Sequence, residues 1–228
     1  MPPEPVSQVV PADRVRDGVF FTLPEALPRG RHNLAREQIT EAQRERLLAA
    51  VTELLAAHGY RGFGVGDIAS RAGVSLGTFY DCFDSKDDCV FAGYDRFIEV
   101  LLAKMAAVDV PDDDRVALTA GLLGAYLSTL QQDLVVARAY QVEIDAVGAP
   151  ARARRRDALN LFATYIRDRA AAIEAGGPPP ALPWSAYIGV VYAVRQLASD
   201  ALDTTAEPDL EGLGADLEAW IADLFRLR

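Results

Sequence analysis

The chain is poor in the residues that most chemistry needs. It has two cysteines, two histidines and two methionines among 228 residues. Two cysteines cannot supply a disulfide framework. Neither His32 nor His58 stands in a Ser, Cys or carboxylate arrangement suited to nucleophilic catalysis. Cys82 and Cys89 lie seven apart, too far for a simple metal pair on one helix face, and no Gly-rich phosphate loop occurs. Long apolar runs are missing too. The longest helix-compatible uncharged stretch, Val116 to Gln132, is short for a membrane span and carries polar residues, while the later run from Ala175 to Val194 holds four prolines. No hydrophobic leader precedes the Pro-rich start. The expectation is a cytoplasmic protein that is not an enzyme, with no cofactor, metal site or membrane segment.

Positive charge is scarce as well. The net charge is −10, and residues 1–92 hold 10 basic against 13 acidic side chains. That excludes a broad basic coat for non-specific nucleic-acid binding. Any DNA contact must rest on a small focused face, doubled by dimerisation.

Half of the residues are hydrophobic, enough for a substantial core. No convincing alternating β pattern and no internal repeat occurs, and the chain reads as all-α. Residues 1 to about 28 contain six prolines with little periodicity, which predicts a mobile extension. A long helix is expected to start between Leu34 and Thr40, with Leu47, Val51, Leu54 and Leu55 on one face, and to end at His58-Gly59. Further helices are expected over roughly 113–131, 133–147, 150–175, 184–204 and 209–227, separated by Gly- and Pro-containing breaks.

Val65 to Lys86, VGDIASRAGVSLGTFYDCFDSK, carries the strongest local signal. Ile68, Ala69 and Ala72 give a short helix an apolar face, and Gly73 stands where a tight turn needs a positive φ angle. Val74 plugs the gap between two helices, Ser75 is placed to cap the second, and Phe79 and Phe83 lie four apart on its inner side. Ser85 then caps a further helix, with Asp87 and Asp88 complementing its dipole. This is helix-turn-helix spacing.

The same residues, Ile68-Ala69, Ala72-Gly73-Val74-Ser75, Gly77-Thr78-Phe79-Tyr80, Phe83 and Ser85-Lys86-Asp87, resemble the DNA-binding domain of the TetR family of bacterial transcriptional regulators over about residues 40–93. The resemblance implies a homodimer with three parts: a flexible extension with a basic arm (1–33), a three-helix helix-turn-helix domain (34–92) and a larger helical effector-binding and dimerisation domain (93–228). It implies a repressor that binds an inverted-repeat DNA operator and is released by a small-molecule effector. The alternative is a helical small-molecule-binding protein or enzyme without operator binding.

By that resemblance, Ser75, Leu76, Gly77, Thr78 and Tyr80 face the DNA, Thr78 towards a base edge and Ser75 and Tyr80 towards phosphates. Lys86 would add its ammonium at a helix N-terminus. Tyr80 packing against the first helix and Lys86 as a solvated lysine are the competing readings. Two departures stand out: Cys82 and Asp81 occupy the recognition helix, where relatives commonly have a phosphate-binding histidine at the first position, and Gly64 and Gly66 weaken the start of the preceding helix. Pro28-Arg29-Gly30-Arg31-His32 is similar to the core of AT-hook peptides, so Arg29 and Arg31 are candidate minor-groove contacts, or simply a solvated basic linker.

In the C-terminal half, Tyr126, Tyr140, Phe162, Tyr165, Trp184 and Tyr187 lie on apolar helix faces and are candidates to line an effector pocket. Glu143, between Tyr140 and Val147 on one stripe, is either a polar anchor for a ligand or an internal partner of Arg138 or Arg195. Arg152, Arg154, Arg155 and Arg156 read as a solvated helix start. Leu213, Leu217, Trp220 and Leu224 recur at helical spacing and are expected at a dimer interface built as a four-helix bundle.

Overall fold

The computed structural model describes residues 14–24, 36–110, 115–173 and 182–226, and is all-α among them. The N-terminal three helices are α1 (Arg36–His58), α2 (Val65–Ala72) and α3 (Leu76–Cys82). They are followed by α4 (Lys86–Ala106), α5 (Arg115–Gln132), α6 (Leu134–Gln141), α7 (Ala149–Ile173), α8 (Trp184–Thr204) and α9 (Leu210–Arg226). Short 3-10 turns at Tyr60–Gly62 and Glu143–Val147 connect α1 to α2 and α6 to α7.

Local chemistry sets the N-terminal domain. Gly59 ends α1 at φ 64°, its N–H donating to the Leu55 carbonyl. Gly73 closes α2 in the left-handed region, φ 68° and ψ 34°, a conformation only glycine adopts without steric cost. The Val74 N–H returns to the Ala69 carbonyl, so the tight turn satisfies the last carbonyls of α2. Ser75 caps α3 by accepting the Thr78 N–H, and Ser85 caps α4 by accepting that of Asp88. Asp67 accepts the Gly64 N–H, while Gly64 has no side chain to return the bond, so α2 has half of a capping box. Leu47, Val51, Leu55, Ile68, Phe79 and Val90 are completely buried and weld α1, α2, α3 and α4 together.

The chain before α1 departs from expectation. Residues 14–23 are docked rather than mobile. Val15, Phe20 and Phe21 are buried, and the Phe20 ring lies 5.4 Å from that of Phe97 on α4. Gly18, at φ 77°, folds the segment back, with its N–H on the Phe21 carbonyl. The Val15 N–H donates to Glu53 Oε1 of α1, and the Arg16 N–H to Asp133 Oδ2. Asp133 in turn caps α6 through its other oxygen, which accepts the Val135 and Val136 N–H groups at 3.1 Å each. The segment is a strap between α1 and the α5–α6 corner. Its apolar residues follow no period, so no helix or strand signature marks it. Arg29 and Arg31 lie outside the described residues.

Around α4 the remaining helices form the second layer, with α9 lying along α5 and α8 packed between α6 and α7. The helix expected over 133–147 is broken after Gln141 into α6 and the 3-10 turn, which rotates everything after Val142 out of phase. The α9 stripe is largely spent inside the protomer. Leu217 is buried, Leu213 and Leu224 are half-buried against the core, and Gly214 comes close to Leu127 of α5. Leu217 is therefore a core residue rather than a dimer contact: α5 offers an apolar flank that α9 covers. Of the four stripe residues only Trp220 is exposed, at 45%. Among the described residues no helix is long and apolar enough to cross a membrane, and no His, Cys, Asp and Glu cluster could hold a metal ion.

Candidate nucleic-acid interface and ligand cavity

The outer face of α3 is formed by Leu76 and Tyr80, 50% and 55% exposed, with Gly77 and Asp81 beside them. Tyr80 packs edge-on with Phe79, ring centroids 5.4 Å apart, and is more than half exposed. Ser75 and Thr78 join their hydroxyls at 2.8 Å while Ser75 also caps the helix. Thr78 thus has its hydroxyl held and its methyl available. The helix itself contributes no cation.

Lys86 is not the exposed cation that the sequence suggested. Its ammonium sits 4.1 Å from the centroids of both the Tyr60 and Phe63 rings and donates to the carbonyls of the same two residues. Burial lowers its pKa from the usual lysine range, with Asp87 and Asp67 opposing. The side chain closes the turn between α1 and α2, a task fit for a compact three-donor cation. Tyr60 completes the clamp by donating its hydroxyl to Asp87. The Cys82 thiol is pushed up by burial despite nearby Arg44, so it is not a reactive thiolate. Arg44 Nη1 donates to the Cys82 carbonyl while its guanidinium covers the Phe83 ring at 4.4 Å, which holds the C-terminal end of α3.

The second site is internal. A cavity of about 110 Å³ lies between α4, α5, α6, α7, α8 and α9. Tyr126, Tyr140, Phe162 and Tyr187 line it. Tyr165 instead donates its hydroxyl to the Met105 carbonyl, and Trp184 is exposed with Arg167 over its ring; neither reaches the cavity. Glu143 does not line it either. The break after α6 turns Glu143 towards Gly59, at the seam between the two 3-10 turns, where burial and then Asp203 raise its pKa. It pairs with neither predicted arginine. Arg138 donates to the Leu202, Thr205 and Ala206 carbonyls at the end of α8, and Arg195 to the Gln141 carbonyl. The arginine cluster at the start of α7 is partly engaged: Arg154 makes a two-pronged bond to Asp95, and Arg155 pairs with Asp145.

Sequence reading missed the α4 wall, where Tyr94, Phe97 and Met105 face the cavity at helical spacing, and the polar pair Gln141 and Arg195. The α4 stripe was visible in the sequence, but its inner face served equally well as plain core. Gln141 Nε2 donates to the Tyr126 hydroxyl oxygen at 2.7 Å, and Ser199 donates to the Gln141 carbonyl at 3.2 Å. Burial pushes the Tyr126 phenol up to about 12, with Arg195 and the Gln141 bond opposing, so the hydroxyl stays protonated. Tyr140 spans both sites: its ring lines the cavity and its hydroxyl meets Thr52 of α1.

The helix-turn-helix geometry of α2 and α3 meets an independent finding. Residues 47–92 match the family model of bacterial regulatory proteins of the tetR family. That match makes the helix-turn-helix unit similar to the DNA-binding part of tetR-family regulators. Its fold is similar to that of a transcriptional regulator from Rhodococcus sp. RHA1, with 28% identity over 80% of this chain and 96% of that one, at a TM-score of 0.61. It is similar also to the fatty acid degradation regulator FadR from Bacillus halodurans, with 20% identity over 78% and 94%, at a TM-score of 0.65. A tetR-family regulatory protein from Rhodococcus RHA1 matches at 22% identity over 81% and 95%, at 0.59. No curated protein sequence matches the chain.

Proposed function

We propose that the chain is a TetR-family regulator, a homodimeric repressor that binds an inverted-repeat operator and is released by an apolar small molecule held in the internal cavity. The observation that carries the reading is the Tyr140 side chain of α6, which lines the cavity while its hydroxyl bonds Thr52 of α1. A ligand that displaces its ring moves a group hydrogen-bonded to α1, and α1 carries α2 and α3 on its flank. Small shifts there change the spacing of two recognition helices that must meet successive major grooves.

On the DNA side, Tyr80, Leu76, Gly77 and the Thr78 methyl are proposed to face the groove, with Ser75 and Tyr80 towards phosphates. Lys86 supports this surface from behind. Because α3 lacks a cation, the proposed minor-groove arm of Arg29 and Arg31 adds positive charge at the DNA. Dimerisation is assigned to the outward faces of α8 and α9, where Tyr192, Leu197 and Trp220 are exposed apolar side chains. The effector domain then comprises residues 93–228.

The experiment is a gel shift with the full chain and the DNA flanking its own gene, repeated across salt concentrations and with apolar ligands. The fatty-acid role named for the Bacillus halodurans neighbour guides the first ligands to screen. A discrete, salt-sensitive complex that dissolves on ligand addition is expected. No complex at any salt concentration favours the ligand-binding protein without operator recognition.

A further inference from the structure

We propose that the cavity takes an amphipathic mono-anion, an aliphatic chain headed by a carboxylate, with Arg195 as its counter-cation. The inference rests on the reading of the cavity as the effector site and adds the chemistry of the ligand's head.

The cavity has two unlike ends. Its α4 wall runs from Tyr94 to Met105, roughly 16 Å at 1.5 Å per residue. Towards Met105 the lining is apolar, with Leu118, Ile166 and Ala170 around it, apart from Thr119 beside Leu118. Towards Tyr94 the polar groups converge. The Tyr94 and Tyr140 rings lie 6.0 Å apart, Gln141 follows Tyr140, and Gln141 contacts both Tyr126 and Arg195. At about 110 Å³ the cavity is below the roughly 300–1,000 Å³ usual for ligand pockets, so an extended chain with a small head enters as the lining side chains, Tyr140 among them, move apart.

The charge count selects the head. Arg195, with only 10% of its side chain exposed, lies 3.8 Å from Asp145 Oδ2. That same oxygen is held more closely by Arg155. Two guanidinium groups thus face one partly exposed carboxylate, so within this trio positive charge exceeds negative by one. Of the three, Arg195 alone lines the cavity. Its Nη2 donates to the Gln141 carbonyl, and among the described residues no further hydrogen bond from its Nε or Nη1 is made. Those donors are therefore available to a ligand in the cavity. The guanidinium fork is shaped for the two oxygens of a carboxylate. Tyr126 adds a donor, because its oxygen accepts from Gln141 Nε2 and its proton is left for an acceptor in the cavity. One surplus charge fits a mono-anion; a dianionic phosphate would leave a negative charge buried.

The test uses the full chain and calorimetric titration with decanoate and with 1-decanol, which share chain length and differ in the head. Decanoate is expected to bind at least ten-fold more tightly. Arg195→Gln should weaken decanoate by at least ten-fold and leave decanol unchanged, while Arg195→Lys should keep most of the preference. Equal affinities for the two ligands in the unaltered protein overturn the head-group assignment, and that comparison needs no variant to fold. Leu122→Trp, which fills the cavity, separates the two readings. If it abolishes binding of both ligands while they bind equally to the unaltered chain, the cavity is the ligand site and only the carboxylate is wrong. If decanoate binds Leu122→Trp as tightly as the unaltered chain, the ligand lies elsewhere and both readings fall.

Discussion

The Tyr140 hydroxyl lies 2.8 Å from Thr52 Oγ1, completely buried between the two halves of the molecule. Thr52 has one proton, and its hydroxyl is 2.7 Å from the Leu48 carbonyl, which can only accept. Tyr140 is therefore the donor to Thr52. The contact passes beside Gly93 of α4, where any side chain would strike the Tyr140 hydroxyl. Glycine is required at that point for close approach rather than for backbone freedom. The bond makes the cavity wall and α1 a single mechanical unit.

Tyr140→Phe removes that bond alone. Thr52 keeps its bond to Leu48, so the stability loss should be only about 1 kcal/mol. Operator affinity without ligand should be unchanged, whereas the weakening of DNA binding by a cavity ligand should shrink markedly within the usual coupling of about 1–3 kcal/mol. Operator titrations with and without saturating decanoate measure this directly. A coupling equal to that of the unaltered protein would remove Tyr140 from the transmission path.

Lys86→Ala should unfold the α1–α2 turn locally rather than strip one phosphate contact. The two carbonyls of Tyr60 and Phe63 lose a charged donor, at a cost of about 1–3 kcal/mol. Urea denaturation should show that loss in the absence of DNA. The salt slope of operator binding should stay where it was, because Lys86 releases no counterion. A slope lower by about one unit with undiminished stability would restore the lysine to the phosphate backbone.

The strap makes a third case. Phe21 is almost completely buried, so Phe21→Ala should cost about 3–5 kcal/mol. Removing residues 1–24 uncovers Phe97 and strips Glu53 of the Val15 N–H and Arg14, while Arg71 of α2 stays bonded to it at 2.6 Å. Thermal melting should therefore fall on truncation even without DNA. An unchanged melting temperature would mean that the segment only rests on the surface.

These cases mark what the sequence could and could not reveal. The α2–α3 unit was legible because its determinants are local: Gly73 for the left-handed turn, Ser75 for the cap, Phe79 and Phe83 one turn apart. Lys86 was misplaced because its partners, Tyr60 and Phe63, become neighbours only when the turn closes over α4. Glu143 was misplaced by one break in helical phase after Gln141. Arg195 could not be distinguished from a solvated arginine until α6 and α8 brought it to Gln141 and Asp145. Aromatic residues on α5, α6, α7 and α8 were found by periodicity alone, which does not tell a cavity wall from a filled core.

On the recognition face, Tyr80→Ala should weaken operator binding by about 1–3 kcal/mol while melting behaviour is preserved, since more than half of the side chain is exposed. Thr78→Ala should remove a methyl and a hydroxyl that supports Ser75, and so relax preference at one base pair. Binding to a panel of single-base operator variants checks both. If Tyr80→Ala binds as well as the unaltered protein, the phenol is only a solvated side chain.

The dimer proposal separates two kinds of substitution that look alike in the sequence. Leu217 and Trp220 lie three apart on α9, yet Leu217 is buried in its own protomer and Trp220 is exposed. Leu217→Asp should place a charge in the core against α5 and lower stability by several kcal/mol, whatever the oligomeric state. Trp220→Asp combined with Tyr192→Asp should leave the protomer folded and give monomers, because charges would face each other across a twofold axis. Light scattering alongside far-ultraviolet circular dichroism tells the outcomes apart. A folded dimer from the double variant would move the interface off these faces. A folded monomer that still binds the full operator as tightly as the unaltered chain would dissociate dimerisation from DNA recognition.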